Sequence, residues 1–301
     1  MSNKKELKIS NKSDRPDNIV LRDHLLIEKA MEYENRLPSF MKDYFVYLKS
    51  SVAVSTRAAY LEDIIFFCEY IVNESGLTDK DDIKNLTVED FKNIKSRDVN
   101  LFLGDYCPRY YKEREDHTFV YENNNRALAR KKSSISTLFK FLYRNEQLPT
   151  NITDGFNPIK LPKPQPDAIK RLDIDEVMVM LDAVESGEGL TEKEKVYWEK
   201  TKLRDKAILA LFVTYGLRLN ELRELNISSF NFSRGEFKIY RKRGKEVLMP
   251  INKTCETVVI DYINCERPKS DDLDEEVKDA LFLSLQKKRL TSRAIRQLVK
   301  K

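Results

Sequence analysis

The sequence has little of several residue types, and each shortage excludes a class of protein. It holds 4 cysteines and 2 histidines in 301 residues. The cysteines lie far apart with no CxxC pair, so we expect reduced, buried thiols and neither a disulfide framework nor a zinc site. No apolar run is long enough to span a bilayer, and the first residues lack the apolar core of a secretory signal. We therefore expect a cytoplasmic protein.

An excess of charge of one sign is also lacking. The net charge is +5, from 54 basic and 49 acidic residues, and this total does not by itself indicate nucleic-acid binding. Only the distribution of the basic residues can do so. Charged residues make up 34% and hydrophobic residues 41% of the chain, which is typical of a globular protein. Its length is sufficient for two domains.

The pattern along the chain predicts these two domains. Residues 1–20 are polar and without period, which predicts a flexible tail. A first, helical domain is predicted at 21–147. The segment 148–168 is rich in proline, which forbids a continuous helix and favours an extended linker. The second domain is predicted at 169–301.

Hydrophobic periodicity predicts helices at 38–48, 55–68 and 89–103 of the first domain. Ser55 or Thr56 would cap the second of these helices and Thr87 the third. The polar and aromatic stretch 108–125 is interpreted as an irregular excursion or a frayed helix.

The segment 126–145 is the most informative helix of the first domain. At roughly 100° per residue, its apolar side chains share one face, and the opposite face carries Arg126, Arg130, Ser133, Thr137, Lys140 and Arg144. No acidic residue lies between Arg126 and Arg144. A solvated outer face is the usual interpretation of a charged helix, but such a face normally mixes both signs. We favour contact with the phosphates of a nucleic acid, which would relieve the repulsion.

The second domain centres on residues 203–250. An apolar run, 207–215, precedes a turn at Gly216, and the turn is followed by Arg218. An arginine held in this way can grip two phosphate oxygens at once. Glu221 lies three residues on and could instead form a structural ion pair with Arg218. Spacing alone leaves both interpretations open.

A basic hairpin follows at 236–250, with Gly244 permitting the tight turn. Lys242 near its tip could act as a general acid, although an exposed, solubilising turn is a common alternative. Further on, 255–263 is predicted as a helix and 280–284 as a short strand. A last helix is predicted to begin at Thr291, within a segment, 284–301, that has seven basic residues and no acidic one.

The order of these features resembles the tyrosine recombinases, the phage-integrase and Xer group. Thr214–Leu222 resembles the family's first-arginine box, Ile239–Ile251 its catalytic-lysine hairpin, and Leu290–Val299 the helix before its second-arginine box. In front of them, the proline-rich linker resembles the join to the family's core-binding domain. The segments 55–60 and 131–142 resemble DNA-facing helices of that domain. The resemblance covers roughly residues 35–301.

The resemblance implies a mainly α fold of two domains. The first would be a helical-bundle (SAM-like) core-binding domain. The second would be an α+β catalytic domain with a small antiparallel sheet, incomplete at its C-terminus. Arg218 would clamp the scissile phosphate with Glu221 in support, and Lys242 would protonate the leaving 5′ oxygen. The family makes a 3′-phosphotyrosyl bond and needs neither ATP nor a metal, so no cofactor is expected.

The predicted DNA contacts combine the resemblance with the basic patterning. They are Ser55, Thr56, Arg57, Arg126, Arg130, Lys131, Lys132, Ser133, Lys140, Arg144, Arg241, Arg243, Lys245, Thr291 and Arg293. The expected partners are double-stranded DNA and other recombinase subunits, with two subunits on each core site and four in a synapse. Neither a membrane nor a small-molecule substrate is expected.

The chain departs from the family in one respect. The His-x-x-Arg box, the later His or Trp and the nucleophilic tyrosine are not found, and none of the 14 tyrosines stands in a matching context. We therefore expect a truncated integrase that binds DNA without cutting it. One alternative is an inactive DNA-binding protein derived from an integrase and acting as a regulator or remnant. Another is a relative of type IB topoisomerases, against which the core-binding resemblance speaks.

Overall fold

The computed structural model of the chain describes residues 15–114, 116–162, 172–241 and 245–300. By its contacts the chain divides into two compact units, Met1–Pro166 and Asp167–Lys301. The predicted fold class, mainly helical with a small antiparallel sheet, is confirmed. No helix of the described residues is both long enough and apolar enough to cross a membrane.

The first unit is a helical bundle with one β-hairpin. Its helices are α1 (Asp17–Arg36), α2 (Lys42–Ser51), α3 (Val54–Asn73), α4 (Val88–Asn93), α5 (Ser96–Leu101) and α6 (Asn125–Arg144). Helix α5 continues into a π-helical turn, Phe102–Tyr106. The apolar faces of α3 and α6 meet in the core of this unit, where Leu61, Ile64, Ile135 and Leu138 are completely buried.

Three predictions about helix ends in the first unit need correction. Helix α1 begins at Asp17, inside the predicted tail, while the start of that tail lies outside the described residues. Helix α3 begins at Val54 with Ala53 at its N-cap position, so neither Ser55 nor Thr56 caps it. The helix predicted at 89–103 is two helices. Its Thr87 cap is confirmed, because the Thr87 hydroxyl accepts from the Asp90 backbone N–H and the Asp90 carboxylate accepts from Thr87.

The stretch 108–125 forms an antiparallel hairpin, β1 (Arg109–Arg114) with β2 (His117–Glu122), so the prediction of an irregular excursion was wrong. The hairpin is held to the bundle by aromatic packing. The ring of Tyr110 lies 4.6 Å from that of Phe66 and stacks on Tyr121 at 5.2 Å.

Residues at the start of the predicted linker pack into the first unit. Leu148 and Phe156 are buried in its core, and a short 3-10 turn, Ile152–Gly155, lies between them. The prediction of an extended linker is therefore wrong for residues 148–156. Burying the two apolar side chains in the core is more favourable than leaving them in water. The end of the predicted linker, 163–168, lies outside the described residues.

The second unit is α+β. Its helices are α7 (Ile174–Ser186), α8 (Glu192–Trp198), α9 (Lys202–Tyr215), α10 (Leu219–Arg223), α11 (Lys253–Cys265) and α12 (Ser292–Lys300). Its sheet has the order β3 (Phe230–Asn231), β4 (Glu236–Tyr240) and β5 (Glu246–Pro250), all antiparallel. The strand predicted at 280–284 is reduced to isolated bridges, Asn226 with Ala280 and Leu283 with Arg289.

Candidate nucleic-acid interface and phosphate site

Helix α9 is the scaffold of the candidate phosphate site. Its side chains from Ala207 to Leu211 are buried. Its N-terminus is capped from a distance by Glu266, whose carboxylate accepts from the backbone N–H groups of Leu203 at 2.8 Å and Arg204 at 3.1 Å. Burial raises the pKa of Glu266 above its ordinary value, against these hydrogen bonds. The helix ends at Gly216, which has a left-handed φ of 58°, as the sequence predicts for a sharp turn.

The turn delivers Arg218 to the surface. Its neighbours Leu217 and Leu222 are buried, which fixes the backbone on either side. The backbone N–H of Arg218 donates to Glu221 at 2.9 Å and its Nη1 donates to the same carboxylate at 2.8 Å. The Arg218 side chain is nevertheless 72% exposed, while that of Glu221 is 6% exposed. The ion pair therefore exists, and it leaves most of the guanidinium open to a ligand.

The basic hairpin is formed by β4 and β5, as predicted. Phe237 and Ile239 point into the core, and the Phe237 ring packs edge-on against Tyr215 at 4.9 Å. At the base of the tip, Arg241 donates its backbone N–H to the carbonyl of Lys245 at 2.8 Å, and both side chains are exposed. Lys242 and Arg243, predicted as the general acid and a DNA contact, lie outside the described residues.

Helix α12 packs against α10, next to Arg218. It begins at Ser292, and the Thr291 hydroxyl accepts from the Ala294 backbone N–H at 3.1 Å, so Thr291 caps the helix. The Ser292 hydroxyl lies 3.4 Å from Asn220 Oδ1. Arg293 is exposed at the first turn. The structure thus brings Thr291 and Arg293 to the same part of the unit as Arg218.

One basic residue of this segment is not available to a ligand. Arg289 donates to the carbonyls of Arg223 and Leu225 at 3.1 and 3.0 Å and to Asn226 Oδ1 at 2.6 Å. Burial lowers its pKa. Arg289 therefore stabilises the segment at the end of α10 through hydrogen bonds and does not add to the exposed positive charge. Counting basic residues in the sequence cannot separate it from Arg293.

In the first unit, the basic face predicted on α6 is only partly open. Arg126, Lys140 and Arg144 are exposed, and no carboxylate of the described residues lies within ion-pair distance of them. Lys132 donates to the carbonyls of Phe156 and Asn157 at 3.3 and 2.8 Å. Its ammonium therefore ties α6 to the segment that follows.

Arg130 and Lys131 are paired with an acid that the sequence of α6 does not reveal. Asp63 of α3 is completely buried and accepts from Arg130 Nη1 at 2.6 Å and Lys131 Nζ at 3.0 Å. The Ser134 hydroxyl also donates to it, at 2.8 Å. The expectation that this face carries only one sign of charge needs correction, because the compensating charge comes from a neighbouring helix.

The start of α3 lies beside the same face. The Tyr60 hydroxyl is 3.1 Å from that of Ser133. Ser55 is exposed and Thr56 half-buried, so both remain accessible at the start of α3. Arg57, also predicted as a DNA contact, is buried and pairs with Glu34 of α1 at 2.9 Å, so it joins two helices.

Known proteins match both units. A family model described as "Phage integrase family" matches residues 170–301. A tyrosine recombinase XerC from Syntrophus aciditrophicus is 26% identical over 262 residues, which covers 86% of this chain and 74% of that protein. A tyrosine recombinase XerS from Streptococcus thermophilus is 28% identical over 242 residues, covering 73% and 65%. These matches support a place for this chain in the tyrosine recombinase family.

Two solved structures show the tyrosine recombinase fold of this chain. A XerH site-specific recombinase bound to difH substrate superimposes with a TM-score of 0.54 at 16% identity, over 97% of this chain and 76% of that one. A lambda integrase dimer bound to a COC′ core site superimposes with a TM-score of 0.53 at 15% identity, over 87% and 76%. At these identities the likeness concerns the fold alone.

The match to tyrosine recombinases does not span their whole length. The matched part spans 74% of the XerC relative and 65% of the XerS relative. Another XerC, from Natranaerobius thermophilus, is 34% identical over 175 residues that make up 54% of its length. What the complete relatives do therefore enters only as a proposal for this chain.

Proposed function

We propose that this chain binds duplex DNA as a site-specific recombinase subunit, with Arg218 holding the phosphate at which the strand is cut. The observation that carries the proposal is the presentation of Arg218. One guanidinium nitrogen is held by Glu221, and the side chain is largely exposed beside the basic start of α12. A planar guanidinium fixed in this way suits the bidentate grip of a phosphate.

The reaction would be a transfer at phosphorus. A tyrosine oxygen attacks the phosphate, a P–O bond to the tyrosine forms, and the bond to the 5′ oxygen breaks as that oxygen takes a proton. Arg218 would stabilise the charge that develops on the non-bridging oxygens. Lys242 would supply the proton, a role proposed from its place in the hairpin. We assign the nucleophile to no tyrosine of this chain.

The first unit would supply most of the grip on DNA. Its exposed cations on α6 are Arg126, Lys140 and Arg144, and the Tyr60 hydroxyl of α3 meets the Ser133 hydroxyl of α6. Ser55 and Thr56 at the start of α3 would add further hydroxyls. Contacts of this kind bind the phosphate backbone whatever the sequence and place the protein in register. Two subunits on each core site and four in a synapse are proposed from the family.

A trapping assay tests this function. The chain first selects duplexes from a random library, and the selected duplex is then nicked so that cutting releases a short fragment and traps the covalent intermediate. We expect duplex binding and no adduct with residues 1–301. A chain that supplies the family's second-arginine box and tyrosine should form the adduct, and Arg218→Ala in that chain should abolish it.

The alternative, a DNA-binding regulator, gives a different result. It predicts duplex binding by residues 1–301 with no adduct from any natural form of the protein. An adduct formed by Arg218→Ala as readily as by the unaltered protein would contradict the role proposed for Arg218.

A further inference from the structure

The buried carboxylate of Asp63 has more cationic partners than it needs. It is 0% exposed, and a buried carboxylate is stable only when it is paired and hydrogen-bonded. Its three donors, Arg130, Lys131 and Ser134, come from one stretch of α6. One acid against two cations leaves the cluster with a net charge of +1, where a single cation would have given neutrality.

Lys131 is the partner that neutralises Asp63. Its side chain is only 10% exposed, and its ammonium lies 4.8 Å from the centre of the Phe66 ring, a cation–π contact. An ammonium enclosed in this way has no route to a ligand.

Arg130 carries the remaining charge to the surface. Its side chain is 42% exposed. Its Nη1 donates both to Asp63 and to the carbonyl of Ala59, the latter at 3.1 Å, which uses both hydrogens of that nitrogen. A guanidinium has five N–H donors, so Nη2 and Nε keep three, and these have no hydrogen-bond partner among the described residues. The residue after Ala59 is Tyr60, whose hydroxyl lies 3.1 Å from that of Ser133.

We propose that Asp63 is a positioning residue that holds Arg130 as a preformed phosphate contact. One edge of the guanidinium is locked in the protein, and the other edge presents parallel donors to a DNA phosphate beside the Tyr60 and Ser133 hydroxyls. Locking the side chain before binding reduces the ordering cost of the contact. The inference rests on the proposed binding of duplex DNA and adds to it the residue that aims one contact.

The structure offers a matched control in Glu34 and Arg57. This pair also joins an acid and an arginine between two helices, at 2.9 Å, but its arginine is buried. If Asp63 only stabilised the fold, Asp63→Asn and Glu34→Gln would lower stability and affect DNA binding alike. If Asp63 positions Arg130, only Asp63→Asn acts on DNA binding beyond its effect on stability.

A double-mutant cycle tests the inference, with duplex affinity measured at several salt concentrations where each variant is fully folded. Arg130→Gln should weaken binding about tenfold and lower the salt slope by about one. Asp63→Asn should weaken binding about threefold to tenfold with the slope kept. In the Arg130→Gln background, Asp63→Asn should have no further effect, since the group that it aims is gone. An undiminished effect in that background would overturn the inference.

A measurement on the unaltered chain covers the case in which Asp63→Asn does not fold. Side-chain NMR of the free protein should show slowed rotation of the Arg130 guanidinium group about its Nε–Cζ bond. The Nε–H resonance of Arg130 should shift when duplex is added. A freely rotating guanidinium, or no shift at a saturating duplex concentration, would contradict it. Failure of the unaltered chain to bind duplex would overturn the proposed function, whereas duplex binding that Arg130→Gln leaves unchanged would overturn this inference alone.

Discussion

The carboxylate of Glu221 holds Arg218 at two points, the backbone N–H at 2.9 Å and the side-chain Nη1 at 2.8 Å. The first contact closes the N-terminus of α10, and the second fixes the direction of the guanidinium. Sequence spacing presents an ion pair and a phosphate contact as alternatives. In the structure the ion pair forms and the arginine side chain remains exposed, so the two interpretations are compatible.

Replacing Arg218 by lysine separates the charge from the forked geometry. Arg218→Lys keeps a cation beside Glu221. The free energy of unfolding, measured with urea, should therefore change by less than about 1 kcal/mol, as for exposed ion pairs. Duplex binding should weaken severalfold, because an ammonium cannot grip two oxygens in parallel. Arg234→Lys, at another exposed arginine of the same unit, is the control and should bind as the unaltered chain does. Equal binding by Arg218→Lys would remove Arg218 from the interface.

The exposed end of α6 should contribute to the salt dependence of binding. Lys140→Gln with Arg144→Gln should lower the slope of log K against log salt by about two, since two phosphate contacts are lost. These positions are better probes than a charge reversal at Arg130, which would place an acid beside buried Asp63. Lys84→Gln, at an exposed lysine outside α6, should leave the slope unchanged. If the double variant left the slope unchanged, this face of α6 would not contact DNA.

Gly216 should resist substitution because of its backbone. At a φ of 58°, a side chain costs about 1 kcal/mol or more, although a Cβ there would meet no atom within 4 Å. We expect Gly216→Ala to lower the free energy of unfolding by about that amount and to weaken duplex binding by moving Arg218. Gly104→Ala is the control, because a Cβ there is equally unobstructed and φ is not positive. If the two variants were equally stable, the positive φ at Gly216 would not disfavour a side chain there.

Thiol labelling should distinguish the four cysteines. Cys68, Cys107 and Cys255 are buried and Cys265 is exposed. Burial raises the pKa of Cys107 to about 11 and also raises the pKa of Cys68 and Cys255, so these thiols are protonated and enclosed at pH 8. We expect one rapidly reacting thiol per native chain, lost in Cys265→Ser, and four after unfolding. Rapid labelling of Cys107 in the native chain would contradict the packing of the first unit.

The pH dependence of stability should carry a signature of Glu266. Its pKa is raised in the folded state above the ordinary value of 4.5, chiefly by burial. Between those two values the folded state binds more protons than the unfolded state, so the contribution of Glu266 to stability falls as pH rises through this window. Glu266→Gln should remove that fall, and Asp261→Asn, at an exposed acid of α11, the helix that ends just before Glu266, should keep it. Parallel stability profiles for the Glu266→Gln and unaltered chains would contradict the assignment.

Much of the site-bearing architecture could be predicted because its signals are local. The apolar run of α9, the turn at Gly216 and the alternation of Phe237 and Ile239 each follow from chain periodicity and turn chemistry. The hairpin at Arg109–Glu122 was missed because its polar side chains suggested irregular chain. What stabilises it is the long-range packing of Tyr110 on Phe66, which no local pattern contains.

The predicted DNA contacts divide for a similar reason. Arg57, Arg130 and Arg144 are all arginines on helices, yet one pairs with Glu34, one with Asp63 and one is exposed. The acids that decide this lie 23 and 67 residues away in sequence. A helical wheel identifies the face of a side chain, but the charges brought to it by neighbouring helices depend on the tertiary fold.

The most direct test of the central claim is the affinity of residues 1–301 for a random-sequence duplex, measured from low to physiological salt. The exposed cations on α6 and around Arg218 predict a linear fall of log K with log salt, with a slope that corresponds to several phosphate contacts. No duplex binding at low salt, or an affinity that does not change with salt, would contradict this account.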